Sequence, residues 1–127
     1  YNRSLSDHPE LYDNSVDVLK VRYDGKRESY VFLASCHPVF STAGKLHYTL
    51  SANYPGVARN LVEDRTNTKN SLFLQGTAGD INPRDHGQYI TGEKLSNEVI
   101  SVLNRPMEEI TGPITFFLDI YTHRRQC

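Results

Sequence analysis

Apolar and polar positions alternate through SVDVLKVRY. Val16, Val18, Leu19 and Val21 stand against Asp17 and Lys20. This predicts a strand with a slip in phase near Leu19. Asp24-Gly25 follows and is a strong hairpin-turn signal. The partner segment ESYVFLASC is continuously apolar from Val31 to Ala34, which predicts a central strand buried on both faces. His37-Pro38 ends it. VFSTAGKLHYTLSANY has no period and contains Gly44, so it is expected to be a long loop, or a loop holding a short strand. Pro55-Gly56 opens PGVARNLVEDR, where Val57, Ala58, Leu61 and Val62 make one apolar helical face and Pro55 suits the first turn. SLFLQG reads as a short buried strand between Lys69-Asn70 and Gly76. A second helix is expected from Gln88 to Asn104, with Leu95, Val99, Val102 and Leu103 at helical spacing and Arg105-Pro106 as its stop. ITFFLDIYTH, with Phe117 and Ile120 among its apolar positions, predicts a last strand. The opening YNRSLSDHPELYDN is polar and irregular.

The expected order is β-β-loop-α-β-α-β. That is an α/β pattern with a hairpin, hence a mixed β-sheet with helices packed on it. Sites in such folds lie in crevices at strand ends. CHP and GTAGDINPR both follow directly after buried-strand patterns, so both stand where a site belongs.

Composition narrows the classes. The 127 residues suit one domain, spanning 1–127, long enough for a core of its own. The formal charge is −1 and the pI about 6.6, which argues against a broad nucleic-acid footprint. Mean hydropathy is −0.53, and no apolar run reaches the ~20 residues that span a bilayer. The chain opens on Tyr1 and closes on Cys127 after a strand-like run, so the expectation is a piece of a longer chain, incomplete at both ends. Cys36 lies in VFLASCHP, where a buried free thiol is the default; a disulfide to Cys127 is the other arrangement. Asn2-Arg3-Ser4 matches a glycosylation sequon, a triplet common by chance.

His37 is the first residue with chemistry to offer. It ends a buried strand and Pro38 holds the backbone extended after it, a rigid mount for a metal-ligating or basic imidazole. The plainer reading is a histidine hydrogen-bonded at a strand end. The second candidate is the run from Gly76 to Arg84. Its two glycines permit close backbone approach, and its N–H groups can form an anion-binding nest. Asp80 is placed to accept bonds within the loop, Asn82 to donate to an oxyanion, and Arg84 to bind a carboxylate or phosphate. The plainer reading is a Gly-Asp turn held by local bonds. It is neither a Walker loop nor a dinucleotide fingerprint, and HExxH, CxxC pairs and GxSxG are absent. Arg3 alone is a surface arginine. His8, His47, His86 and His123 read as solvent-facing.

In order, NRS, the strand ending in CHP, LSANYPGVARNLVE and LFLQGTAGDINPR resemble the N-terminal catalytic domain of the neutral/alkaline non-lysosomal ceramidase family, from Asn2 to about Leu103. The resemblance implies a zinc-dependent amidohydrolase that cleaves the N-acyl amide bond of a lipid such as ceramide with metal-activated water. It implies two histidines, a glutamate and a tyrosine on the zinc. His37 matches the second histidine, and the remaining ligands would lie outside this chain. Arg3 matches an arginine that lines the family's active site, with Leu5 where the family has proline. The family suggests a secreted or membrane-surface enzyme of sphingolipid metabolism.

The chain departs from the family at one position that matters. The family's turn reads GDVSPN, with the serine proposed as catalytic; here Asn82 holds that position and Arg84 replaces the last asparagine. Asparagine cannot act as that serine is proposed to act, but it can orient a water or donate to the oxyanion. The expected site is therefore Arg3, Asp80 and Asn82 as catalytic groups and His37 on zinc. The alternative is a catalytically impaired member that binds a lipid or glycan-like ligand. On the first reading the chain by itself is inactive, because one histidine cannot hold a catalytic zinc.

Overall fold

A computed structural model describes residues 1, 2, 7, 8, 11–23, 25, 27–40, 50–113 and 115–118. The elements run β1 (Val16–Tyr23), β2 (Arg27–Ala34), α1 (Asn53–Thr66), β3 (Ser71–Gln75) and α2 (Gln88–Leu103). The sheet order is β1-β2-β3. β1 and β2 pair antiparallel from Val16↔Ala34 to Tyr23↔Arg27, and Gly25 between them has a φ of +65°. Asp24 and the 41–49 part of the expected long loop lie outside the described residues. β2 and β3 pair parallel, from Tyr30↔Ser71 to Ala34↔Gln75. Parallel neighbours need a crossover, and α1 supplies it. The fold is thus a small α/β fold with a mixed sheet.

Both helices cover one sheet face. Register places Val16 opposite Ala34 and Val18 opposite Phe32, with Phe32 opposite Phe73. That row meets Tyr54, Ala58 and Val62 of α1 and Leu95 and Val99 of α2 in one core. Phe32, Ala58, Val62 and Val99 are wholly buried. Each large apolar side chain buried this way stabilises the fold by ~1.5–3 kcal/mol. Phe73 packs edge-on to Phe32 and Tyr54, at centroid distances of 5.7 and 6.1 Å. The helices touch at Gly92, where a Cβ would lie 2.6 Å from Val57 Cβ and 2.9 Å from the Tyr54 carbonyl oxygen. Nearby, Arg65 reaches from α1 to donate to the buried Ser96 Oγ (3.0 Å) and to Asn97 Oδ1 (2.6 Å).

No described helix or strand covers the opposite face, and this corrects two expectations. Leu19 is opposite Val31, which is opposite Leu72, and Leu33 is opposite Leu74. Leu19, Val21, Leu72 and Leu74 are exposed, and Val31 and Leu33 are half-buried. β2 is therefore not buried on both faces, nor is β3 a buried strand. The apolar run in β2 serves the core with every second residue only, because α1 and α2 pack on the same side. The slip near Leu19 is a regular alternation whose second face is apolar but uncovered. The last predicted strand is also not formed over residues 115–118, where Phe116 and Phe117 are 91% exposed. An extended segment needs a neighbouring strand to satisfy its backbone, and residues 115–118 pair with none among the described residues.

The helix limits match their local chemistry. Asn53 takes a left-handed conformation at φ +55°, which asparagine tolerates, with its N–H donating to Ser51 Oγ at 3.0 Å. α1 closes at a second left-handed asparagine, Asn67, whose N–H donates to Glu63 O. α2 ends as Asn104 N–H reaches Ile100 O, and Pro106 blocks its continuation. No helix among the described residues is long and apolar enough to cross a membrane.

Candidate functional site

Parallel pairing carries the C-terminal ends of β2 and β3 to the same edge of the sheet, so the segments 35–40 and 76–85 emerge side by side. Gly76 lets them touch. A Cβ there would run into Ser35 Oγ and come within 2.9 Å of Leu33 Cδ2. Its N–H instead donates to Ala34 O at 3.1 Å.

His37 is fixed to the 76–85 turn at two points. Its backbone N–H donates to Ile81 O (3.0 Å), and its Nε2 lies 2.7 Å from Gly79 O. A carbonyl only accepts, so Nε2 is the donor, and of the two uncharged tautomers this is the one that leaves the lone pair on Nδ1. Gly79 presents that carbonyl from a left-handed conformation at φ +50°, which disfavours any residue with a Cβ. Ile81 N–H closes the turn on Ala78 O at 2.8 Å. Beyond His37 the chain turns tightly, with Val39 N–H donating to His37 O at 3.0 Å.

Of the residues singled out in the sequence, His37, Asp80 and Asn82 belong to this one assembly. Asp80 is half-buried within the turn. Asn82 N–H donates to Tyr1 O at 3.1 Å, and Asn2 bridges to Ile81, so the NRS stretch starts beside the turn. Arg3 itself lies outside the described residues, as do His47, His123 and Cys127. Arg84, His8 and His86 are exposed. Cys36 is a free thiol among the described residues, half-buried, and burial pushes its pKa up, which makes it a poor nucleophile.

A cavity of about 400 Å³ opens beside the turn, lined by Tyr12, Asp13, Ser35, Asn82, Thr91 and Lys94 among others. Asp13 accepts from Ser15 N–H, Ser15 Oγ and Ser35 Oγ, and these hydrogen bonds lower its pKa, the Ser15 hydroxyl most. Lys94 is paired to Asp85 at 2.6 Å. Asn82 Oδ1 and Thr91 Oγ1 are buried with no hydrogen-bond partner among the described residues. A buried polar atom left in this way costs ~1–3 kcal/mol.

The fit to zinc is limited to one ligand. His37 Nδ1 has no hydrogen-bond partner among the described residues and its other nitrogen is on a backbone carbonyl, the usual outer arrangement of a metal-bound histidine. No group of three His, Cys, Asp or Glu side chains that would hold a metal occurs among the described residues.

Two residues that sequence patterns did not single out stand directly behind His37. Tyr54 in the first turn of α1 and Gln75 at the end of β3 both donate to the Cys36 carbonyl, Gln75 Nε2 at 3.1 Å. The one available signal was a tyrosine on the apolar face of a helix, since a buried Tyr hydroxyl requires a partner. Set against family models, curated proteins and solved structures, the chain matches none.

Proposed function

We propose that this chain contributes one metal-ligating imidazole and an oxyanion-facing turn to the active site of a ceramidase-like zinc-dependent amidohydrolase. The substrate is then a small molecule or lipid carrying an N-acyl amide bond, hydrolysed to an amine and a carboxylic acid. A secreted or membrane-surface setting in sphingolipid metabolism belongs to the same reading. The observation that carries it is the bond from His37 Nε2 to Gly79 O at 2.7 Å. It joins the two segments on which the ceramidase resemblance rests, and it leaves Nδ1 as the ligand atom.

On this reading the remaining zinc ligands come from outside the described residues, because a catalytic zinc takes at least three protein ligands. Zinc, when bound, polarises the amide carbonyl and acidifies water. The rest falls to the chain. His37 is held in one tautomer by Gly79. Asn82 offers its side-chain NH₂ to the oxygen on which charge develops, a contribution that matters most where water is excluded. Asp80 supports the turn, and Arg3 lines the site from the NRS stretch.

The alternative, a catalytically impaired ligand-binding member, draws on Asn82. It stands at the position matched to the family's serine, and its Oδ1 is buried without a partner among the described residues. Hydrolysis of a fluorogenic N-acyl amide by the intact protein separates the two, measured beside His37→Ala and Asn82→Ser. Zinc-dependent turnover that His37→Ala abolishes supports the hydrolase. A silent wild type with an active Asn82→Ser variant supports the impaired member. Silence in both, with zinc supplied, overturns the amidase reading.

A further inference from the structure

The segment that carries His37 is gripped from behind at both ends by the first turn of α1. At its start, the Cys36 carbonyl accepts from two donors, the Tyr54 hydroxyl and Gln75 Nε2, which occupy both of its lone pairs. At its end, Asn53 Nδ2 donates to Phe40 O at 2.6 Å. Between these points lies the turn closed by Val39 N–H on His37 O. Tyr54 has little freedom of its own. It is 1% exposed and packed edge-on against Phe73.

A peptide plane held at its oxygen by two donors cannot rotate without breaking both. The Cys36 carbonyl belongs to the peptide bond whose nitrogen is that of His37, and that nitrogen donates to Ile81 O. The plane before His37 is therefore pinned on both sides, by Tyr54 and Gln75 at its oxygen and by Ile81 at its nitrogen. The direction of the His37 N–Cα bond follows from that plane, and the turn closed by Val39 N–H on His37 O restricts rotation about it; together they set the ring's reach to Gly79 O. We infer that Tyr54 is a positioning residue for His37: by gripping the Cys36 carbonyl together with Gln75, it keeps the imidazole in the Nε2–H tautomer with Nδ1 left for a ligand. The metal part of this inference rests on the function proposed above; the tautomer part does not.

The test uses the intact protein and the Tyr54→Phe variant, which keeps the ring in the core and removes only the hydroxyl. Long-range proton–nitrogen NMR correlations, recorded where imidazole is neutral, report which ring nitrogen of His37 holds the proton. The wild type is expected to show the Nε2–H form alone. Tyr54→Phe is expected to show both tautomers, with unchanged far-UV circular dichroism, and a Zn²⁺ affinity lower by about 10-fold, within the range for loss of outer-shell partners. A purely structural role would lower stability and leave both readouts unmoved. Wild-type tautomer and wild-type affinity in Tyr54→Phe overturn the inference. Should that variant fail to fold, Gln75→Leu removes the second donor from a more exposed position and carries the same two outcomes. Absence of zinc binding by the wild type counts against the proposed function, and the tautomer readout then decides the positioning role by itself.

Discussion

Gly92→Ala puts the packing of the two helices to a quantitative test. The added methyl would lie 2.6 and 2.7 Å from Val57 Cβ and Cγ1 and 2.9 Å from the Tyr54 carbonyl oxygen. Carbon atoms pack at ~3.5–4.0 Å, so the shortfall is about 1 Å. A Cβ and a main-chain oxygen cannot rotate away, so α1 and α2 must separate. Overpacking of this kind costs ~1–3 kcal/mol, and fixed neighbours place it at about 2–3. Replacing glycine inside a helix returns about 1 kcal/mol of helix propensity. The expected net loss is about 1–2 kcal/mol. Urea unfolding followed by circular dichroism measures it, with exposed Glu93→Ala on the same helix as a control for propensity alone. A Gly92→Ala protein as stable as wild type, or more stable, would refute the close approach of the helices. Because the blocked carbonyl belongs to Tyr54, the same variant should also disturb His37.

Gly79→Ala forces a Cβ into the left-handed region, at ~1–2 kcal/mol, and should move the Gly79 carbonyl off His37; a histidine NMR spectrum identical to wild type would contradict that. Glu28 gives a pH dependence of definite sign. Lys20 at 2.8 Å, the Tyr30 hydroxyl at 2.6 Å and Arg22 bring its pKa down from 4.5 to about 2. The folded pKa is the lower one, so the stabilisation is present above pH 4.5 and lost as pH falls towards 2. Glu28→Gln should flatten the acid limb of the stability profile in that window, and parallel profiles for the two proteins would count against the cluster. Ser96→Ala removes one of the two acceptors of Arg65 inside the helix interface and should cost about 1.5 kcal/mol, the low end for a bond to a charged group, since Asn97 remains. Unfolding midpoints read it directly, and an unchanged midpoint would mean the buried bond contributes nothing.

Much of this arrangement was legible in local patterns. The periods of β1, α1 and α2 fixed those elements to within about two residues, because an amphipathic segment has only one way to bury its apolar side. CHP and GTAGDINPR each follow a strand pattern, which put both where a site belongs; that they lie side by side comes from the parallel pairing of β2 and β3. What local pattern could not convey is the number of sheet faces that are covered. Val31, Leu33, Leu72 and Leu74 look like core residues in sequence, yet they stand on the face that neither helix reaches. TFFL likewise is rich in strand-forming residues, but pairing is a property of a neighbour, and residues 115–118 have none among the described residues. Tyr54 and Gln75 escaped notice for a related reason. Their role is to hold a main-chain carbonyl, and a main-chain acceptor leaves no mark in the side-chain sequence. Gly92 and Ser96 were hidden in the same way, because small residues on an apolar helix face reveal their purpose only once Val57 and Arg65 of the facing helix are in place.

The claim that His37 is a metal ligand is most directly tested by elemental analysis of the intact protein, purified under zinc-replete conditions, beside its His37→Ala variant. Near-stoichiometric zinc in the wild type, lost in a folded His37→Ala protein, is the expected result. A wild type without zinc, or a variant that keeps it in full, would contradict the account.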